Sequence, residues 1–155
     1  MNKVLYLSYD GMTDPLGQSQ VLPYLCELSK KGYKFHLISF EKPDKFEKLK
    51  NTIQKICNDH SIEWHPQPYT KTPPVLSTIS DIRKMYLVAK ELHKTEHFKI
   101  VHCRSYLPGM IGRLLKKYDP SIKFLFDMRG FWIDERVEGN IWNLKNPIFK
   151  IIFNY

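Results

Sequence analysis

No stretch of this chain approaches the roughly 20 consecutive apolar residues that a membrane-spanning helix needs, so no span is expected. Met1-Asn2-Lys3 runs straight into a strand-like pattern, without the apolar segment or small-residue cleavage site of a secretory leader. Cysteine is scarce: Cys26, Cys57 and Cys103 are odd in number, far apart and without a CxxC. That usage favours plain burial in a reducing compartment over disulfides or metal ligation. His36, His60, His65, His93 and His97 show no metal-ligand spacing, and no metal site is expected. The nucleophile elbow GxSxG, the HExxH of zinc proteases, the P-loop and a GxGxxG are all missing. Nor is there an internal repeat or a low-complexity tract. The expectation is one cytoplasmic domain, residues 1–155, with no resident cofactor.

What the chain has in excess is positive charge, +8 over 155 residues. Its lysines are dispersed through helical stretches, at Lys30, Lys31, Lys45, Lys48, Lys50, Lys55, Lys116 and Lys117. The aromatics sit in strand-like runs rather than interleaved on a basic face, so nucleic acid is not the expected partner. A solvated basic face and a weak attraction to the anionic inner leaflet of a membrane both remain open.

Strand-like and helix-like patterns alternate from end to end. Strands are expected at residues 3–8, 35–40, 61–65, 99–103 and 123–127. A helix is expected from Ser19 or Gln20, with Pro23 in its first turn and Gly32 as its stop. A second opens at Lys42-Pro43-Asp44 and carries Phe46, Leu49, Ile53 and Ile56 on one stripe. A third covers 75–96 with Ile79, Ile82, Met85, Tyr86, Ala89 and Leu92 inward, and a fourth covers 107–118. Pro66, Pro68, Pro73 and Pro74 predict an extended loop, either a connector or a lid. This order predicts an α/β fold: a Rossmann-like, three-layer α/β/α arrangement with a mostly parallel sheet. Residues 146–155 are amphipathic, with Ile148/Ile152 and Phe149/Phe153 four apart, and break off as if in mid-element. A fragment of a longer protein is expected.

Three loops at strand C-terminal ends, where such sheets bind ligands, hold the candidate site. In loop 10–17, Gly17 and Gln18 open the helix, whose N–H groups would form one wall. Asp10 and Asp14 supply carboxylates on another, which suits a phosphate-bearing sugar better than a bare anion. His102, Arg104 and Ser105 open the fourth helix. Arg104 repels that helix's dipole unless an anion or carboxylate is present, and His102 reads as a core residue. The third loop offers Asp127, Arg129, Trp132, Asp134 and Glu135. Arg129 can bind phosphate in bidentate fashion, Trp132 can stack on a sugar ring, and the acids can accept hydroxyl hydrogen bonds. Gly130 lets the backbone approach a ligand. The competing reading makes Asp127–Arg129 and Glu135–Arg136 mere ion pairs.

Three segments resemble the N-terminal half of family 4 glycosyltransferases, which have the GT-B fold. They are Asp14-Pro-Leu-Gly-Gln-Ser-Gln-Val-Leu-Pro-Tyr-Leu25, Val101-His-Cys-Arg-Ser-Tyr-Leu-Pro-Gly109 and Phe126-Asp-Met-Arg-Gly-Phe-Trp132. The resemblance implies an acceptor-side domain facing a cleft, with the C-terminal nucleotide-sugar domain and its Glu-x7-Glu signature absent. It implies that Gly17 and Gln18 meet the donor phosphates and the acceptor, and that Arg104 lines the acceptor side. Arg129 stands where many relatives carry a histidine near the transferred sugar, so it becomes the candidate catalytic residue. It would steady the departing diphosphate or orient a hydroxyl, since a guanidinium cannot serve as a base. The implied reaction is sugar transfer with retention and without a metal. The donor would be a nucleotide-sugar and the acceptor a saccharide or lipid-linked intermediate of cell-surface polysaccharide synthesis, at the inner membrane face. The fragment alone is expected to be inactive.

Two other readings stand beside this one. The first is a non-catalytic Rossmann-like module that binds a nucleotide, against which counts the lack of an acid closing strand two, where Ser39 and Phe40 stand. The second is an assembly domain, which would leave the three loops unrelated in space.

Overall fold

The computed structural model describes residues 2–73 and 75–129. Five strands, β1 (Asn2–Ser8), β2 (Tyr33–Glu41), β3 (Ile62–Pro68), β4 (Ile100–Arg104) and β5 (Lys123–Asp127), form one sheet ordered β3-β2-β1-β4-β5. Every pairing is parallel. Four helices connect them: α1 (Leu22–Ser29), α2 (Pro43–Asp59), α3 (Leu76–Glu96) and α4 (Tyr106–Tyr118). This is the α/β, Rossmann-like, three-layer architecture that the alternation predicts.

The central strand is apolar on both faces and feeds two cores. Val4 and Tyr6 join α1 and α2 through Leu22, Leu25, Ile53 and Cys57, with Phe46, Leu49 and Ile56 packed against them. Leu5 and Leu7 join α3 and α4 through Met85, Ala89, Ile111 and Leu115. Each large side chain fully withdrawn from water contributes about 1.5–3 kcal/mol, so these two layers hold the sheet in place. Cys26, Cys57 and Cys103 are buried free thiols, and burial pushes Cys57 and Cys103 up to about 12. Among the described residues, no helix is long and apolar enough to cross a membrane.

Three expectations need correction. The first helix begins before Ser19: residues 15 and 16 are already helical, and a widened π turn follows over Gly17–Val21. Its closing bond runs from Leu22 N–H to Gly17 O. Pro23 has no N–H for the carbonyl four residues back, and widening the turn relieves that conflict. Strand β3 continues through Pro66 and Pro68 rather than stopping at His65. It is an edge strand, where proline is tolerated. Finally, Ile79 is 56% exposed, because the inward stripe of α3 is Ser77, Asp81, Met85, Ala89 and His93. The polar Asp81 belongs to that stripe. It accepts from the Tyr9 hydroxyl at 3.0 Å and from Thr70 N–H at 3.1 Å. Tyr69 N–H donates to Glu41 O at 2.9 Å. The proline-rich stretch is therefore tied to the body at Tyr69 and Thr70.

Candidate functional site

The strand order reverses between β1 and β4, which opens a crevice at their C-terminal ends, the place where open α/β sheets bind ligands. Arg104 closes β4 there and is only 3% exposed. Its Nη2 donates to Gln20 Oε1 at 2.8 Å, and its Nε reaches Asp10 Oδ2 at 3.4 Å. Its Nη1 lies 3.9 Å from Asp127 Oδ2 and has no hydrogen-bond partner among the described residues. Asp127 in turn accepts from Arg129 Nε at 3.1 Å. The carboxylates that the dipole argument requires beside Arg104 are thus Asp10 and Asp127. Two guanidiniums and two carboxylates balance, so the crevice presents directional donors and acceptors with little net charge. Such a surface suits hydroxyls together with a shared anionic oxygen, more than a bare anion.

Beneath Arg104 lie Tyr6 and His102, their rings 4.6 Å apart. Burial pushes the Tyr6 phenol up to about 12 against the pull of the guanidinium. Burial also pushes His102 down to about 4, overriding the attraction of Asp127, so the ring stays neutral at neutral pH. His102 is 5% exposed, as a core residue would be.

Loop 10–17 is held from the opposite side by Glu41, a residue that sequence reasoning missed. The 2%-exposed carboxylate closes β2. It accepts from Met12 N–H at 2.8 Å, Thr13 N–H at 3.0 Å, Thr13 Oγ1 at 2.6 Å and Ser39 Oγ at 2.6 Å. Trp64 Nε1 donates to Ser39 Oγ at 2.8 Å, which carries the network to the edge strand. The fit leaves no room for a side chain: a Cβ on Gly11 would sit 2.7 Å from Glu41 Oε2, and one on Gly17 would meet the Gly11 carbonyl. An acid does close strand two, against expectation. The loop N–H groups at 12 and 13 serve it rather than a ligand.

A sucrose-phosphate synthase from Thermosynechococcus elongatus shares this fold. The TM-score is 0.64 at 13% identity, over 99% of this chain and 40% of that one. The likeness shows the fold, and this chain spans less than half the length of that protein. No protein-family model matches the chain, and no curated protein does.

The expected site residues separate into groups. Arg104, Asp127 and Arg129 come together, and Ser105 joins them through its N–H, which donates to Asp127 O at 2.9 Å. Ser105 adopts φ +69°, a strained value for a non-glycine residue, at the turn into α4. Gly17 is buried against the loop, and Gln18 folds back to donate to Thr13 O at 3.0 Å. Asp14 does not join that group: it is gripped by Lys42 at 2.9 Å and Lys45 at 2.6 Å. Burial raises its carboxyl, but the two ammonium hydrogen bonds outweigh that and hold it below the usual range. Trp132, Asp134 and Glu135, with Gly130 and the amphipathic stretch 146–155, lie outside the described residues. Gln20 and Asp10 are Arg104's hydrogen-bond partners, a pairing that the motifs alone did not single out. A cavity of about 190 Å³ lies elsewhere, between Pro43 and Phe46 of α2 and Pro66 and Pro68 of β3. It offers no unbonded charge, since its one acid is the occupied Glu41.

Proposed function

We propose that this chain is the N-terminal, acceptor-side half of a retaining glycosyltransferase with a GT-B fold. The donor is a nucleotide-sugar and the acceptor a saccharide or lipid-linked intermediate in polysaccharide synthesis at the cytoplasmic face of a membrane. The carrying observation is Arg104: a buried guanidinium at the strand-order reversal, with one nitrogen unpaired among the described residues and a carboxylate on either side. A sugar hydroxyl or a phosphate oxygen would complete its hydrogen bonding, and Asp10 and Asp127 would accept from neighbouring hydroxyls. Arg129, two residues beyond the end of β5, is the group closest in role to the departing diphosphate. Its charge would stabilise the leaving group as the bond to the sugar breaks. The fold shared with a sucrose-phosphate synthase supports a sugar-handling domain of this kind.

The nucleotide-module reading is weaker. A ribose diol needs an available acid at the end of strand two, and Glu41 already accepts from four donors. Saturation-transfer NMR of the chain against a panel of saccharides, sugar phosphates and nucleotides tests the proposal. A sugar or sugar phosphate should bind, and Arg104→Gln should weaken it at least tenfold. Binding of nucleotides alone, indifferent to Arg104→Gln, would favour the module instead. The chain by itself should transfer no sugar, because a donor half is required; turnover by the isolated chain would contradict that assignment.

A further inference from the structure

A second cluster of polar side chains lies at the β3 edge, on the sheet face that carries α3. Register aligns His36 with Leu5 and Glu63, whereas Arg104 aligns with Ser8, so this cluster is set back from the crevice along the strands. We propose that His36, Glu63 and His65 form a binding site for one divalent transition metal ion of the zinc class.

The geometry is specific. His36 Nδ1 and His65 Nε2 face each other at 3.3 Å, with the rings stacked 11° from parallel. Glu63 Oε1 lies 3.9 Å from the same His65 nitrogen. One ligand atom from each of the three residues falls within 4.8 Å of the others. A tetrahedral ion with bonds of about 2.0–2.1 Å places its ligand atoms about 3.3 Å apart, the spacing of the two ring nitrogens. Glu63 is half-exposed, and a small rotation of its side chain shortens the remaining edge.

The outer shell supports the same assignment. With the ion on Nδ1, the His36 proton resides on Nε2, a fully buried atom with no hydrogen-bond partner among the described residues. Glu63 Oε2 and Glu96 Oε2 each lie 3.6 Å from that nitrogen, and with Glu63 turned to the ion Glu96 is the carboxylate left behind the ring. A carboxylate behind a ligating imidazole fixes its tautomer and raises its basicity. Lys34 and Lys3 hold those carboxylates at 3.2 and 2.8 Å and neutralise the charge that the ion does not. A ring-to-ring hydrogen bond would also bring the two imidazoles nitrogen to nitrogen, but it leaves the buried His36 Nε2 without a partner among the described residues. Two nitrogens and one oxygen select zinc, cobalt or nickel over magnesium. Such an ion would fasten β3 to β2 and to the end of α3.

The test uses the untagged chain, stripped with chelator and titrated calorimetrically with zinc chloride and separately with magnesium chloride. Zinc should bind once per chain and raise the melting temperature, and magnesium should do neither. His65→Gln and Glu63→Gln should each weaken zinc at least tenfold. Glu96→Gln, a positioning residue, should weaken it about tenfold while leaving one site per chain. Cobalt on the unaltered chain should give visible tetrahedral bands without a thiolate charge-transfer band. No saturable zinc binding, binding indifferent to His65→Gln, equal binding of magnesium, or a thiolate band would each overturn the assignment.

Discussion

Two charged residues end neighbouring parts of the same sheet, and their surroundings differ in kind. Glu41 is surrounded by donors, and its bonds run from the β1 loop through Ser39 to Trp64. Arg104 is as deeply buried but incompletely matched among the described residues, with Nη1 unpaired there and Asp127 3.9 Å away. A saturated buried charge fixes a loop in one conformation. An unsaturated one keeps a donor available, which burial makes costly unless something else accepts from it. The contrast separates scaffold from candidate site more clearly than residue type does, since either residue alone would pass for a binding group.

The comparison can be broken at several points. Glu41→Gln turns an amide NH₂ toward backbone N–H groups and should destabilise the chain by about 2–4 kcal/mol in urea unfolding. A near-neutral result would mean that the network is dispensable. Next in size is a pH effect beneath Arg104. Unfolded His102 titrates near 6.5, and burial holds the folded ring at about 4. A depressed folded-state value means stability is intact above pH 6.5 and declines as pH falls toward 4, by about 3 kcal/mol at the end. His102→Phe should flatten that part of the melting-temperature profile. Arg104→Met should change stability by only about 1 kcal/mol, because Asp10 and Asp127 are solvated enough to stand alone. A loss as large as that of Glu41→Gln would place Arg104 with the scaffold. The smallest effect belongs to Asp14→Asn, below about 1 kcal/mol and shrinking further in high salt, since its lysine partners are half-exposed.

Strands and helices were legible wherever period and punctuation agreed. The alternation of 3–8, 35–40, 99–103 and 123–127 with amphipathic stretches returned the sheet, and the stripe Phe46, Leu49, Ile53, Ile56 returned the face of α2. Glu41 was not legible, because it falls between the strand expected at 35–40 and the helix expected to open at Lys42-Pro43. Only pairing with β3, which places Glu41 beside Pro68, makes it the last residue of a strand. The widened turn before Pro23 was hidden for a similar reason: proline announces a conflict without stating how the backbone resolves it. Arg104 announced itself through its clash with the helix dipole, but its partner Gln20 comes from a helix far away in sequence. Likewise Glu63 and His65, two apart on one strand, share a face by simple alternation. The register that adds His36 exists only once the strands pair.

Pro66 and Pro68 occupy alternate positions on the outermost strand, so the same side of that margin loses two N–H donors. A free sheet margin invites a second strand to add on, the first step toward aggregation. With those donors missing, an approaching chain finds gaps in its ladder just where β3 ends. These prolines thus guard the β3 flank against self-association.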